Sequence, residues 1–194
     1  MIGLVVVAHF NLAREMVAAT ELIVGEQEQF AAVDIFPNDP VEKTKEKIVS
    51  GLKNSDTGDG VIILTDRYTT SNALHQGSKL PEDRRSDFFN WLYDFEFRLM
   101  ELPKPDIVIY MDIEAEKAAE RIKKRQAVTG TAADIHERNL GYLRECARCG
   151  AQAAEYYGWR KLSCFHNGAA RSEEEIHEEI REILSGVGVK RHEP

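Results

Sequence analysis

An α/β protein built on a parallel sheet covered by helices on both faces is the architecture the sequence predicts. Three observations carry it. Short β-branched runs alternate with longer helical patterns; some of those runs are apolar at nearly every position, as strands buried on both faces are; and polar residues gather just after the strands. Five such runs imply three layers, α/β/α, with a five-stranded parallel sheet.

Ile2 to Ala8 reads as the first strand, ending in His9, and Leu12, Met16, Val17 and Ile23 then fall at helical spacing until Gly25. Phe30 to Phe36 is a second strand. Pro37 to Pro40 breaks the chain, and Val41 to Leu52 is a Lys/Glu-rich helix with Val41, Ile48 and Leu52 on its apolar side. After Gly58-Asp59-Gly60, Val61 to Leu64 is a short strand of buried composition that ends in Thr65-Asp66. From Arg67 to Lys79 the chain turns polar, which is where chemistry is to be sought.

Asp87 to Met100 reads as a helix whose core stripe includes Phe88, Trp91, Leu92, Phe95 and Leu99. Pro103-Lys104-Pro105 separates it from a strand over Ile107 to Met111, followed by a helix over Ala115 to Lys124. Gln126 to Ala133 has the composition of a loop, and Asp134 is placed to cap a long helix ending near Tyr157. Trp159 to Phe165 alternates as the last strand. Ser172 with Glu175 three residues on is a capping box for a helix ending near Leu184, and 187–194 is a polar tail.

Composition narrows the function classes. The 25 Lys and Arg against 33 Asp and Glu give a net charge of −8, which argues against a nucleic-acid partner. No apolar run approaches the roughly 18 to 20 residues that span a bilayer, so no membrane partner is expected. Three cysteines do not make a disulfide framework, and MIGLVVVAHF carries no basic leader; a reducing cytoplasm is the expected location. Cys146 and Cys149 form a C-x-x-C inside a helical pattern, with Cys164 and His166 nearby. Without a second C-x-x-C, buried thiols are the better reading and no metal site is expected.

In such sheets ligands bind beyond the carboxyl ends of the strands, so His9, Asp66 and Asp112 are weighed first. MIGLVVVAHFNLAREMVAATELIVGEQEQFAAVDIFPND, followed by GDGVIILTD, resembles the mannose-family enzyme IIA domain of the bacterial sugar phosphotransferase system. The resemblance implies a phosphoryl-carrying histidine at His9, with its imidazole oriented by Asp66. That chemistry is sound: a neutral imidazole nitrogen is the nucleophile, and a carboxylate on the other nitrogen fixes the tautomer and stabilises developing positive charge. Phe10 stands where that family usually has glycine, and the small glycine-rich segment expected after the aspartate is absent.

From Asp66 onward the motifs change. DRYTTSNALHQGSKL, WLYDFEFRLMELPKPDIVIYMDIEAEKAAERIKKR, DIHERNLGYL and YYGWRKLSC occur in the order of a thymidylate kinase, which this part of the chain resembles over its C-terminal two thirds. The resemblance implies that Asp66 and Arg67 end the third strand, with Arg67 near the acceptor phosphate. Tyr68, Ser71, Asn72, His75 and Gln76 would line the nucleotide pocket, and Arg125 would open the lid. An arginine suits phosphate because its planar fork holds two oxygens at once. The catalytic set is therefore His9, Asp66 and Arg67, the substrate-binding set Arg67, Tyr68, Ser71, Asn72, His75 and Gln76, and the lid Arg125.

Phosphoryl transfer from ATP in this kinase class needs a glycine-rich, lysine-bearing loop after the first strand. Ala8-His9-Phe10-Asn11-Leu12-Ala13-Arg14 has neither glycine nor lysine, and Glu46 to Asp59 lacks the aromatic and arginine that hold thymine in that family. The chain therefore reads as a join at Asp66: an enzyme IIA-like half over 1–66, a kinase-like part over 66–186 packed with it as one domain, and the tail 187–194. The larger piece favours sheet order 2-3-1-4-5 over the flavodoxin-like 2-1-3-4-5. The expected function is a nucleotide phosphotransferase of thymidylate-kinase lineage (dTMP to dTDP), lost or weakened, with no cofactor required and ATP and magnesium needed only if turnover survives. The alternatives are a phosphocarrier using His9, with a phosphotransferase-system protein as partner, and an inert hybrid. A homodimer is expected from both resemblances.

Overall fold

The structure is a computed structural model that describes residues 2–129, 139–166 and 168–186; the side chains of 125, 126, 128 and 129 lie outside that description. The described residues divide into two compact units, one ending at Tyr68 and the other beginning at Thr69.

In the first unit β1 (Gly3–His9), α1 (Leu12–Val24), β2 (Phe30–Ile35), α2 (Val41–Ser55) and β3 (Val61–Thr65) follow one another, and the parallel sheet has order β2-β1-β3. β1 is central, and its alternate side chains serve two cores. Val5 and Val7 join Val33 beneath Ile48 and Leu52 of α2, while Val6 and Ala8 join Ala13 and Val17 of α1. Burial on both faces is why this strand has no polar position between Gly3 and His9.

The second unit contains α3 (Thr70–Gly77), α4 (Arg85–Asp94) continued by a π-helical turn over Phe95–Leu99, β4 (Ile109–Asp112), α5 (Ala115–Thr129), α6 (Leu140–Tyr157), β5 (Arg160–Ser163), a short hairpin of β6 (Phe165–His166) and β7 (Ala169–Ala170), and α7 (Glu173–Ser185). β4 and β5 pair in parallel. Ala73, Phe89, Leu92, Cys149 and Ala153 form the buried centre of α3, α4 and α6. Ser172 and Glu175 make the capping box of α7, and Asn139 caps α6 by accepting from the Tyr142 amide at 3.1 Å. The expected cap Asp134 and residues 130–133 of the expected loop 126–133 lie outside the described residues, while 126–129 continue α5.

Four expectations are corrected. The described strands form sheets of three, two and two, not one of five, and β1 lies between β2 and β3, the start of the alternative order 2-1-3 and not of the favoured 2-3-1. With both edges of β1 occupied, no fourth strand can pair with it. Among the described strands β3 is at the edge of its sheet, so Ile62, Ile63 and Leu64 are about half exposed despite their buried composition. The last strand ends at Ser163, and Phe165 belongs to the hairpin.

The core stripe of α4 is also displaced. Trp91, Phe95 and Leu99 are exposed, while Arg85, Phe89, Leu92 and Glu96 are buried. Those four positions are spaced by four, three and four residues, one helical face. The charged pair is accepted in the core because both are hydrogen-bonded: Arg85 donates to Gln152 Oε1 at 2.8 Å, Glu145 Oε2 at 2.9 Å and the Leu80 carbonyl at 3.3 Å, and Glu96 Oε1 accepts from Asn72 Nδ2 at 2.9 Å.

Candidate functional site

β1 and β3 are adjacent parallel strands, and the chain leaves β1 for one side of the sheet and returns from β2 to the other. The carboxyl ends of β1 and β3 thus flank the switch point, where open α/β sheets bind ligands. His9 closes β1, and Asp66 follows β3, its amide donating to the Val7 carbonyl at 3.4 Å. The His9 imidazole Nδ1 lies 3.2 Å from both Asp66 carboxylate oxygens. An ionised carboxylate only accepts, so the proton of the neutral ring sits on Nδ1 and Nε2 carries the free electron pair. With side-chain exposures of 46% for His9 and 27% for Asp66, the ring can be approached from solvent.

Two neighbours shape this corner. Arg14 is bound to Asp34, its Nε at 2.7 Å from Oδ2, so this guanidinium neutralises a carboxylate of β2. Phe10 has φ 55, a left-handed conformation costly for a side chain with a Cβ, and its ring meets Phe36 edge-on at 6.3 Å. Phe10→Gly and Phe10→Ala both lose that ring contact, but only glycine relieves the backbone. Denaturant unfolding is expected to find the glycine variant more stable than the alanine variant by about 1 kcal/mol. Equal stabilities would show that the turn stores no strain.

The remaining sequence-derived residues are more dispersed in their bonding. Arg67 is exposed, and its carbonyl accepts from the Thr65 hydroxyl at 2.5 Å; Tyr68 is half-buried. In the second unit Ser71, Asn72, His75 and Gln76 all lie on α3. Asn72 donates to Glu96, His75 Nδ1 is 3.0 Å from the Tyr142 hydroxyl, and Gln76 Oε1 accepts from Lys79 Nζ at 3.0 Å. Arg125 lies on α5, with its side chain outside the description. Asp112, at the end of β4, pairs with Lys161 Nζ at 3.0 Å.

Arg85 and Glu96 escape a hydropathy reading because both are charged. The only sequence signal for them is that they share the helical phase of Phe89 and Leu92. Cys149 is buried with its thiol on the Ala73 carbonyl at 3.3 Å, and burial pushes its pKa up to about 11; Cys164 is likewise raised, chiefly by burial. Protonated thiols of this kind are core side chains. Among the described residues no three His, Cys, Asp or Glu side chains gather as metal ligands, and no helix is long and apolar enough to cross a membrane.

Residues 3–71 match the family model described as the PTS system fructose IIA component. A thymidylate kinase of Mycobacterium tuberculosis (strain CDC 1551 / Oshkosh) is 35% identical over 103 residues, 52% of this chain and 48% of the relative. The chain joins an enzyme IIA-like segment to a thymidylate kinase-like one. The probable thymidylate kinase of Archaeoglobus fulgidus is 26% identical over 152 residues, 78% of this chain and 65% of the relative. A match of that extent necessarily begins ahead of Asp66, and the enzyme IIA match continues past it, so the two likenesses overlap. A third relative, the thymidylate kinase of Rickettsia typhi, is 32% identical over 79 residues, 41% of this chain and 34% of its own. The chain spans about half the length of the Mycobacterium relative it matches.

Proposed function

We propose that the chain accepts and passes on a phosphoryl group at His9 Nε2. The observation that carries this reading is the contact of His9 Nδ1 with Asp66 at the β1/β3 switch point. In the forward step the Nε2 electron pair attacks phosphorus, a P–N bond forms, and the bond from phosphorus to the donor's leaving group breaks. The ring becomes cationic while Nδ1 keeps its proton. The Asp66 carboxylate, already on that proton, stabilises the charge, as a carboxylate beside an imidazolium does. Attack by water or by an acceptor nucleophile on the phosphoryl group reverses the ring's change and restores neutral His9. The similarity of residues 3–71 to a IIA component supports a phosphotransferase-system protein as the physiological donor or acceptor. Incubation with phosphoramidate, a small donor that needs no partner, followed by mass spectrometry of the His9 peptide, is the test; no added phosphate at His9 would remove the proposal.

A second reading rests on the kinase relatives: binding of a nucleoside monophosphate, dTMP by lineage, with Arg67 on its phosphate and Tyr68, Ser71, Asn72, His75 and Gln76 as pocket residues, and Arg125 toward the donor. ATP-dependent turnover is the weaker part of that reading. β1 and α1 are joined by Phe10 and Asn11 alone, without glycine or lysine, which supports loss of the backbone cradle that triphosphate and magnesium require. Thermal unfolding with millimolar dTMP is expected to show a raised Tm that Arg67→Ala removes, because a ligand bound only by the native state stabilises it. No rise with the unsubstituted protein would dismiss the nucleotide site. A cytoplasmic homodimer belongs to both readings, and sedimentation would test the dimer.

A further inference from the structure

The sequence has three cysteines, all free thiols; Cys149 and Cys164 are buried, whereas Cys146 is half-buried. Cys146 lies on α6 and meets α3. Its Sγ is 3.9 Å from Nδ1 of the His75 imidazole and donates to the Ser78 hydroxyl at 3.5 Å. His75 Nδ1 is in turn 3.0 Å from the hydroxyl of Tyr142, one turn ahead of Cys146 on α6, and the two rings stack with centroids 6.4 Å apart. A nucleophile, a base within reach of its proton and a group that holds the base thus meet between two helices. The phosphoryl chemistry of His9 uses none of them, and the nucleotide reading uses only His75.

A thiol is a poor nucleophile until its proton leaves, and an imidazole nitrogen with a free electron pair takes that proton. Nδ1 stands between the thiol and the Tyr142 oxygen, so once protonated it can donate to the hydroxyl oxygen, which accepts. The other two thiols are held differently. Cys149 bonds to the Ala73 carbonyl, and burial pushes its pKa up to about 11; burial likewise raises Cys164. Tyr110 of β4, which acts electrostatically with Cys146 and Cys149, is pushed by burial up to about 12 and keeps its proton at neutral pH.

We infer that Cys146 is a modification site for small-molecule disulfides, with His75 as the base that takes its proton. The Cys146 sulfur attacks one sulfur of the disulfide as its proton passes to His75 Nδ1. A new S–S bond forms, the old one breaks, and the departing thiolate takes the proton from His75. Cys146 is oxidised to a mixed disulfide, the leaving sulfur is reduced to a thiol, and no other oxidant enters.

The probe is 2-hydroxyethyl disulfide, which is small and uncharged. Peptide mass spectrometry of the folded protein near pH 7 is expected to find the hydroxyethylthio adduct on Cys146, formed at least about tenfold faster than on Cys149 or Cys164. In His75→Asn, whose amide can still face Tyr142, the rate near pH 7 is expected to fall by about tenfold. It should rejoin that of the unsubstituted protein near pH 10, where hydroxide removes the thiol proton unaided. A purely structural role of His75 would keep the two rates apart at both pH values. The comparison of three thiols within the unsubstituted chain does not depend on how the variant folds. An earlier adduct on Cys149 or Cys164, a Cys146–Cys149 disulfide in place of the adduct, or a His75→Asn rate unchanged near pH 7 or still low near pH 10 would overturn the inference.

Discussion

His9→Ala is expected to abolish phosphate incorporation at position 9, and Asp66→Asn to slow it by about 100-fold. The first effect is the loss of the nucleophile. The second has two causes. An asparagine amide can donate to Nδ1, which favours the tautomer with its proton on Nε2 and so occupies the reacting electron pair. It also removes the charge that offsets the developing imidazolium. Of the six histidines in the sequence, His75 is the natural control, because it lies on α3 with its Nδ1 facing the Tyr142 hydroxyl. His75→Ala should leave the rate at His9 unchanged. A rate at His9 in Asp66→Asn equal to that of the unsubstituted protein would reduce Asp66 to a bystander.

Arg85→Ala is expected to lower the stability of the second unit by about 3 kcal/mol, read from urea unfolding. Arg85 is 4% exposed and ties α6, through Glu145 and Gln152, to the Leu80 carbonyl ahead of α4. Its removal leaves a cavity and strands the groups it satisfied. Glu145 is 40% exposed and recovers water, which keeps the loss at the lower end for a broken buried pair. Arg85→Met, which keeps most of the stem volume, should cost less. A loss under about 1 kcal/mol for the alanine variant would mean that the guanidinium is a surface group.

Why some features were legible and others were not follows from where each residue sits. β1 could be read directly because a strand covered on both faces shows as an unbroken apolar run. The His9–Asp66 juxtaposition was accessible because both residues end apolar strands. β3 has the same composition as a covered strand, yet cover depends on neighbours that a strand's own sequence does not specify; among the described residues it pairs only with β1. The partition into sheets of three, two and two is a pairing choice of the same kind.

α3 was hidden in a polar stretch. The residues it buries are Ala73 and Gly77, whose small size leaves little hydropathy signal but lets α6 approach closely. A Cβ on Gly77 would lie 2.7 Å from Cys149 Sγ. The displaced stripe of α4 has a different cause. Hydropathy assigns Arg85 and Glu96 to solvent, whereas partners distant in sequence, Gln152 and Glu145 for one and Asn72 for the other, satisfy them inside.

The central claim is that Nε2 of His9 is the reacting atom and Nδ1 is held by Asp66. It is tested most directly by a long-range proton–nitrogen NMR spectrum of histidine-labelled protein, before and after phosphoramidate treatment. The expected result is a neutral His9 ring protonated at Nδ1, then a phosphorus coupling on Nε2 alone. Phosphorus on Nδ1, or a resting ring with its proton on Nε2, would contradict it.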